Sequence, residues 1–252
     1  MRTVVSACLT AAIFVCGTIF VWGAAAQKQK PWTEWTKKDV DKTLNDSAWG
    51  QTQSEGGSNN SSSQTAESAV TQVAAPRSSD RQLNRQGESG EAKPVNYVKY
   101  HVRFLSAKPV RAAFARQVLL SKTEPDEALT TQLQGFIDRD FSDYIVISVG
   151  VEVGDERMAG PIMKAFSGAN TEALKENVYL ERKDGKKMFL MDYRPPVQDG
   201  MGAKFVFKRT LDGQPFLSEN DSVRFVAQLN EKMKLNTRYK LSDMLYDGML
   251  EY

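Results

Sequence analysis

Residues 98–104 read "VKYHVRF", and the alternation of apolar and polar side chains in this stretch decides the class of fold. The two sets are Val98, Tyr100, Val102 and Phe104 on one side and Lys99, His101 and Arg103 on the other. Because successive side chains of a strand point to opposite faces, the pattern predicts a strand with one face on a core and the other in water. Strands of this kind are typical of antiparallel sheets.

Two further strands are predicted from apolar runs and alternation. Residues 143–153, "DYIVISVGVEV", form a longer apolar run, which indicates a central strand. Residues 233–241 alternate again, and their polar members are Lys234, Asn236, Arg238 and Lys240. We interpret this row as the wet side of a half-buried strand, where lysines discourage pairing with other strands.

Three hairpins are predicted from turn signals. Asp-Gly pairs at 184–185 and 212–213 suit type I′ turns, which need a positive φ at both central residues, and a third hairpin turns near 230–232. A two-residue loop in the first hairpin pairs Leu180 with Phe189. Four apolar side chains then share one face of this hairpin: Val178, Leu180, Phe189 and Met191.

Helical patterns occur mainly between the first two strands. Residues 107–120, "AKPVRAAFARQVLL", place Pro109 at the first helical position, and residues 125–137 begin with acidic side chains. Residues 160–177 indicate one or two short helices. The prediction for residues 94–252 is therefore an α+β domain, a mainly antiparallel sheet of hairpins with two to four helices packed on one face.

Residues 51–93 precede this domain and differ from it in composition. They are rich in Ser, Gln, Gly and Asn and contain no aromatic residue. A segment of this kind buries too little apolar surface to offset the entropy lost on ordering. We expect a flexible linker here.

The first 26 residues predict export. One early cation is followed by a long apolar run, and Ala24 and Ala26 match the small residues that signal peptidase requires, so the mature chain is expected to begin at Gln27. Alternatively, the run is retained as a membrane anchor, since about 20 apolar residues span a bilayer. Membrane contact is expected only in that case. Both cysteines, Cys8 and Cys16, lie in this leader, so the mature chain has no thiol for disulfides, metals or catalysis.

Residues 27–50 hold three of the four tryptophans of the chain. Thr36 and Asp39 suit a helix start, and Val40 and Leu44 fall on one helical face, which predicts a short amphipathic helix over about 37–45. So short a helix is unstable alone in water, so we expect it to dock on its own domain, on another envelope protein or on the membrane interface. The candidate docking residues are Trp32, Trp35, Val40, Leu44 and Trp49.

Charge argues against nucleic-acid binding, because the net charge is only +2. The tip of the first predicted hairpin is nevertheless basic: Arg182, Lys183, Lys186 and Lys187 surround Asp184. Such a tip is more commonly a solvated turn kept soluble by its charge. The functional alternative is contact with an anionic lipid, a glycan or an acidic partner.

Catalytic, metal and cofactor motifs are not recognisable. His101 is the only histidine and is predicted to be a solvated residue on the polar face of its strand. Without a second histidine or a thiol, a zinc site would have to rest on carboxylates, which is uncommon. The sequence also has no nucleophile elbow, phosphate loop or dinucleotide fingerprint. We therefore predict no catalytic residue, no metal and no cofactor.

Several blocks resemble a family of uncharacterised exported bacterial proteins, often labelled hypothetical or GWxTD domain-containing. Examples are "KPWTEWTKKDVDKTLNDSAW" (30–49), "NVYLERKDGKKMFL" (177–190) and "YKLSDMLYDGMLEY" (239–252). The Gly-Trp-x-Thr-Asp string that names the family is absent from this chain. The resemblance implies export and a shared architecture, and it assigns no site.

Together these patterns predict an exported, non-catalytic envelope protein with a binding or structural role. The alternative is a hydrolase or glycan-acting enzyme of the envelope that uses carboxylates. A cleft with two or more convergent acids of raised pKa would favour the enzyme. An exposed apolar groove or sheet edge without such acids would favour binding.

Overall fold

The structure is a computed structural model that describes residues 30–56 and 97–252. It confirms the α+β class, with five α-helices and mainly antiparallel sheets among the described residues. The predicted leader and most of the predicted linker lie outside these ranges. None of the helices within them is long and apolar enough to cross a membrane.

The helices and strands alternate irregularly along the chain. The helices are α1 Lys37–Asn45, α2 Lys108–Leu120, α3 Glu127–Ile137, α4 Glu156–Gly168 and α5 Thr171–Leu174. The longer strands are β1 Gly50–Gly56, β2 Tyr97–Phe104, β3 Tyr144–Val153, β4 Val178–Arg182, β7 Ala203–Lys208, β10 Ser222–Gln228 and β11 Lys234–Lys240. The short strands are β5 Lys187–Phe189, β6 Asp192–Arg194, β8 Thr210–Leu211, β9 Gln214–Pro215, β12 Leu245–Tyr246 and β13 Met249–Leu250.

The longer strands divide into two sheets that pack face to face. The large sheet has the order β1-β2-β3-β7-β6, and the small sheet has the order β11-β10-β4-β5. Phe205 of β7 contacts Phe225 of β10 with ring centroids 5.4 Å apart, and Phe104 of β2 contacts Tyr239 of β11 at 4.8 Å. The main core therefore lies between the sheets, and the apolar sets predicted for β2 and β11 face each other across it.

Helices α1 and α2 cover the outer face of the large sheet. Arg103 projects from β2 on this face and stacks over the ring of Phe114 of α2, 5.4 Å from its centroid. The first turn of α2 is capped by a residue far away in the sequence, because the Lys108 backbone N–H donates to Glu251 Oε1 over 2.7 Å. The predicted polar face of β2 is thus largely shielded from water.

The register predicted for the first hairpin is wrong by one residue. Leu180 pairs with Met188, so Met188 is buried and Phe189 is 49% exposed. The reason is a three-residue loop in which only Gly185 has a positive φ, of 82°, and its N–H donates to Arg182 O. The pair at 212–213, by contrast, has positive φ at both residues, as a type I′ turn requires. Asp247 and Gly248 form another such turn, which the sequence analysis missed.

Strand β1 lies where the sequence predicts the start of the linker, so that boundary is wrong. Gly50–Gly56 pairs with β2 along its whole length. Its polar residues gave no strand signal, but an edge strand is held mainly by backbone hydrogen bonds. Gln53 adds two side-chain bonds across to β11, from Gln53 Nε2 to Lys234 O (2.9 Å) and from Asn236 N to Gln53 Oε1 (2.8 Å). Residues 57–93 lie outside the described residues.

Candidate functional site

The tryptophan segment contains helix α1, Lys37–Asn45, and the sequence predicts the same bounds for this helix. Thr36 Oγ1 accepts from Asp39 N over 3.2 Å, and Asp39 Oδ2 accepts from Thr36 N over 2.7 Å, which forms a capping box. Val40 and Leu44 are buried in the main core cluster. The apolar face of α1 is therefore covered by the chain's own domain.

The three tryptophans of this segment are half-buried against the same domain. Trp32 Nε1 donates to Gln134 Oε1 of α3 over 2.8 Å. Trp49 Nε1 donates to Glu251 O over 2.7 Å, and the oxygen of Trp35 accepts from Arg116 Nε of α2 over 2.7 Å. The indole N–H groups of Trp32 and Trp49 and the backbone oxygen of Trp35 are thus all bonded to the chain's own domain.

Tryptophan fluorescence tests this placement. In a protein that begins at Gln27, Trp32, Trp35 and Trp49 are the only tryptophans. Because each is half-buried, we expect emission at shorter wavelength than in the denatured chain, with a red shift on unfolding in urea. Emission that is already water-like in the folded protein would contradict the packing and leave the segment free for another molecule.

The basic hairpin tip is partly neutralised by its own surroundings. Arg182 forms an ion pair with Asp184, whose pKa falls to about 2 because it accepts hydrogen bonds from that guanidinium. Lys183 Nζ donates to Asn220 O over 2.6 Å, and Lys187 Nζ lies 4.2 Å from the centroid of the Tyr179 ring. Neither Lys183 nor Lys187 forms an ion pair with a residue that the structure describes, although Lys187 lies opposite Glu181 on the adjacent strand.

The small sheet brings the hairpin tip and the predicted wet row of β11 onto one surface. Strand β10 lies between β4 and β11, so Arg224 is directly opposite Glu181 on one side and Arg238 on the other. A depression of about 320 Å³ opens above them, and Lys183 also lines it. We call this surface the basic face, defined by Lys183, Lys187, Arg224, Lys234, Arg238 and Lys240.

Charge on the basic face is incompletely balanced. Glu181 is ion-paired with Arg224, which lowers the pKa of the carboxyl below its ordinary value. Lys240 pairs with Asp243 over 3.0 Å. Arg238 and Lys234 have no ion pair with any residue that the structure describes. Because Arg238 lies directly opposite Arg224, two like charges face each other across adjacent strands, which destabilises the sheet.

His101 is not the solvated residue that the sequence predicts. Its Nδ1 lies 3.0 Å from Thr52 Oγ1 of β1, and its Nε2 lies 3.2 Å from Glu152 Oε2 of β3. Burial lowers the pKa of the imidazole, and the charge of Arg103 adds to this effect. The sequence did not predict these contacts of His101, because Thr52 falls in the predicted linker and no local pattern shows that β1 pairs with β2.

Acidic groups are scarce in the clefts. Three clefts of about 320–360 Å³ are lined by one carboxylate each: Glu181, Glu152 and Asp199. The pKa of Glu152 is lowered, chiefly by its hydrogen bond from Lys99 over 2.8 Å. Within residues 30–56 and 97–252, no group of three or more His, Cys, Asp or Glu side chains is placed to hold a metal ion.

Comparison of the chain with protein-family models, with curated proteins and with solved structures finds no match. The geometry of its surfaces is therefore the basis for a functional proposal.

Proposed function

We propose that this protein is an exported, non-catalytic binding protein of the cell envelope whose basic face holds an anionic polysaccharide. The observation that carries the proposal is the unbalanced pair of Arg224 and Arg238 on adjacent strands. Glu181 pairs with Arg224, and no described carboxylate pairs with Arg238. An anion bound above Arg238 would remove the repulsion, so binding stabilises an arrangement that is unfavourable in the free protein.

The shape of the basic face favours an extended ligand. Its depression is open, and three basic side chains share one face of the edge strand β11: Lys234 lies four residues, about 14 Å, from Arg238, and Arg238 lies two residues, about 7 Å, from Lys240. A polymer with one carboxylate or phosphate per sugar unit presents charges at comparable intervals. Phe189, which is 49% exposed on β5 at the opposite edge of the same sheet, offers an apolar surface for a sugar ring.

Two sequence features support the proposed location outside the cytoplasm. The apolar leader with Ala24 and Ala26 predicts export, and a mature chain without cysteine has no thiol to be oxidised outside the cytoplasm. The acids in the clefts also favour binding over hydrolysis. Glu152 and Glu181 both have a lowered pKa, whereas a general acid needs a raised one.

Charge reversal on the basic face tests the proposal. We expect Arg238→Glu to weaken binding to polygalacturonate by about tenfold, which corresponds to about 1.4 kcal/mol. The control is Lys164→Glu on the exposed side of α4, which changes the net charge equally and lies outside the basic face. Calorimetric titration at low and moderate salt measures the affinity, and the salt dependence should be smaller for Arg238→Glu.

Three outcomes would contradict this function. They are equal losses in both variants, equal binding of uncharged dextran, and binding of an acidic protein but of no anionic polysaccharide.

A further inference from the structure

Arg103 is a buried cation with no counterion among the residues that the structure describes. Its residue is 7% exposed, its Nε donates to Leu44 O over 2.9 Å and its Nη2 donates to Asn45 Oδ1 over 2.7 Å. No carboxylate in the described part of the chain pairs with it, and burial lowers the pKa of its guanidinium to about 10. Burial of an unpaired charge is costly, so the arrangement calls for a further partner.

The remaining nitrogen of this guanidinium faces a cleft. Nη1 of Arg103 has no hydrogen-bond acceptor among the residues that the structure describes, and Arg103 lines a cleft of about 360 Å³. A Cβ atom at Gly150 would lie 3.1 Å from Nη1. The glycine therefore keeps this edge of the guanidinium open.

The other walls of the cleft are largely apolar. They are formed by Met163 and Phe166 of α4, Pro196 and Val197, with backbone at Gly200 and Gly202. Val197 is 62% exposed. A volume of this size is at the lower end of the range for small-molecule sites.

The two other titratable groups in the cleft are Glu152 and His101, and neither forms an ion pair with Arg103. Glu152 already accepts hydrogen bonds from Lys99, Tyr97 and His101. The lowered pKa of His101 keeps the imidazole neutral at neutral pH. Arg103 is thus the uncompensated charge of the cleft.

We propose that this cleft binds a small molecule with one anionic head group, a carboxylate or a phosphate, on an apolar body. The head group would accept hydrogen bonds from Arg103 Nη1, and the body would pack against Met163, Phe166 and Val197. Helix α1 is the positioning element, because the backbone oxygen of Leu44 accepts from Nε and the side-chain oxygen of Asn45 accepts from Nη2 of the guanidinium. The site lies on the large sheet and is independent of the basic face.

Titration of the full-length protein with three six-carbon probes tests this site. The probes are hexanoate, hexyl phosphate and the uncharged 1-hexanol, and the readout is the ¹⁵N–¹H peaks of Gly150, Gly200 and Gly202. We expect at least one of the two anions to shift these peaks with saturation and 1-hexanol to shift them at least tenfold more weakly. The better of the two anions identifies the head group. Equal shifts with 1-hexanol, or no shift with either anion, overturn the proposal.

Substitutions at the rim keep the test independent of folding, since Arg103 itself anchors α1. Val197→Asp should weaken binding of the better anion by about threefold or more, and Val197→Lys should strengthen it. Met249→Asp is the matched control, because Met249 is 70% exposed on β13 and does not line the cleft. The same affinity in all three variants contradicts binding at this site. A failure to bind polysaccharide would contradict the function proposed for the basic face but would not change the result expected for the cleft. The two proposals can therefore fail separately.

Discussion

Replacement of Leu44 by alanine is expected to lower the free energy of unfolding by about 2–5 kcal/mol, the range for a leucine truncated in a packed core. Leu44 is 2% exposed and lies in the main core cluster, although it belongs to the tryptophan segment. The backbone carbonyl of residue 44, which accepts from Arg103 Nε, is kept in the alanine variant, so the expected loss is that of the buried side chain. Urea denaturation followed by circular dichroism measures the change.

Lys38→Ala provides the control for this prediction. Lys38 is exposed on the same helix, so its replacement should change stability by less than about 0.5 kcal/mol. If Leu44→Ala costs no more than Lys38→Ala, the tryptophan segment is not part of the folded unit. It would then be available for an external partner, which is the alternative that the sequence leaves open.

The second large effect is expected for Gly202→Ala, at the start of β7. A Cβ atom at this position would lie 2.1 Å from Val149 O, and the residue has a φ of +84°. The clash is with backbone on β3, so the central strand or the loop before β7 must move. We expect a loss of more than about 4 kcal/mol, a value that single substitutions rarely reach.

Gly200→Ala separates the clash from the backbone strain. Gly200 has a φ of +72°, but a Cβ atom there would meet nothing within 4 Å. Its replacement should cost only the strain of the left-handed conformation, about 1–2 kcal/mol. Thermal unfolding of both variants under the same conditions gives the comparison. Equal losses would mean that the contact between Gly202 and β3 is not present in the folded protein.

Some candidate residues were recognisable from the sequence, but their roles were not. The predicted docking set, Trp32, Trp35, Val40, Leu44 and Trp49, lies against the domain. Arg103 belonged to the predicted polar face of β2, and no local signal showed that α1 and α2 would cover that face. The basic tip and the basic row of β11 were both visible, but about 50 residues separate them in the chain.

The sequence by itself determined the local structure of this protein. The bounds of α1 follow from its capping box and the spacing of Val40 and Leu44, and the core faces of β2 and β11 follow from alternation, because these patterns act within a few residues. The tertiary structure alone decided the order of the strands and the pairing of β1. It also decided which polar groups meet, such as Arg224 with Arg238 and Arg103 with α1. Those contacts join distant parts of the chain, and a polar residue carries no pattern that names its partner.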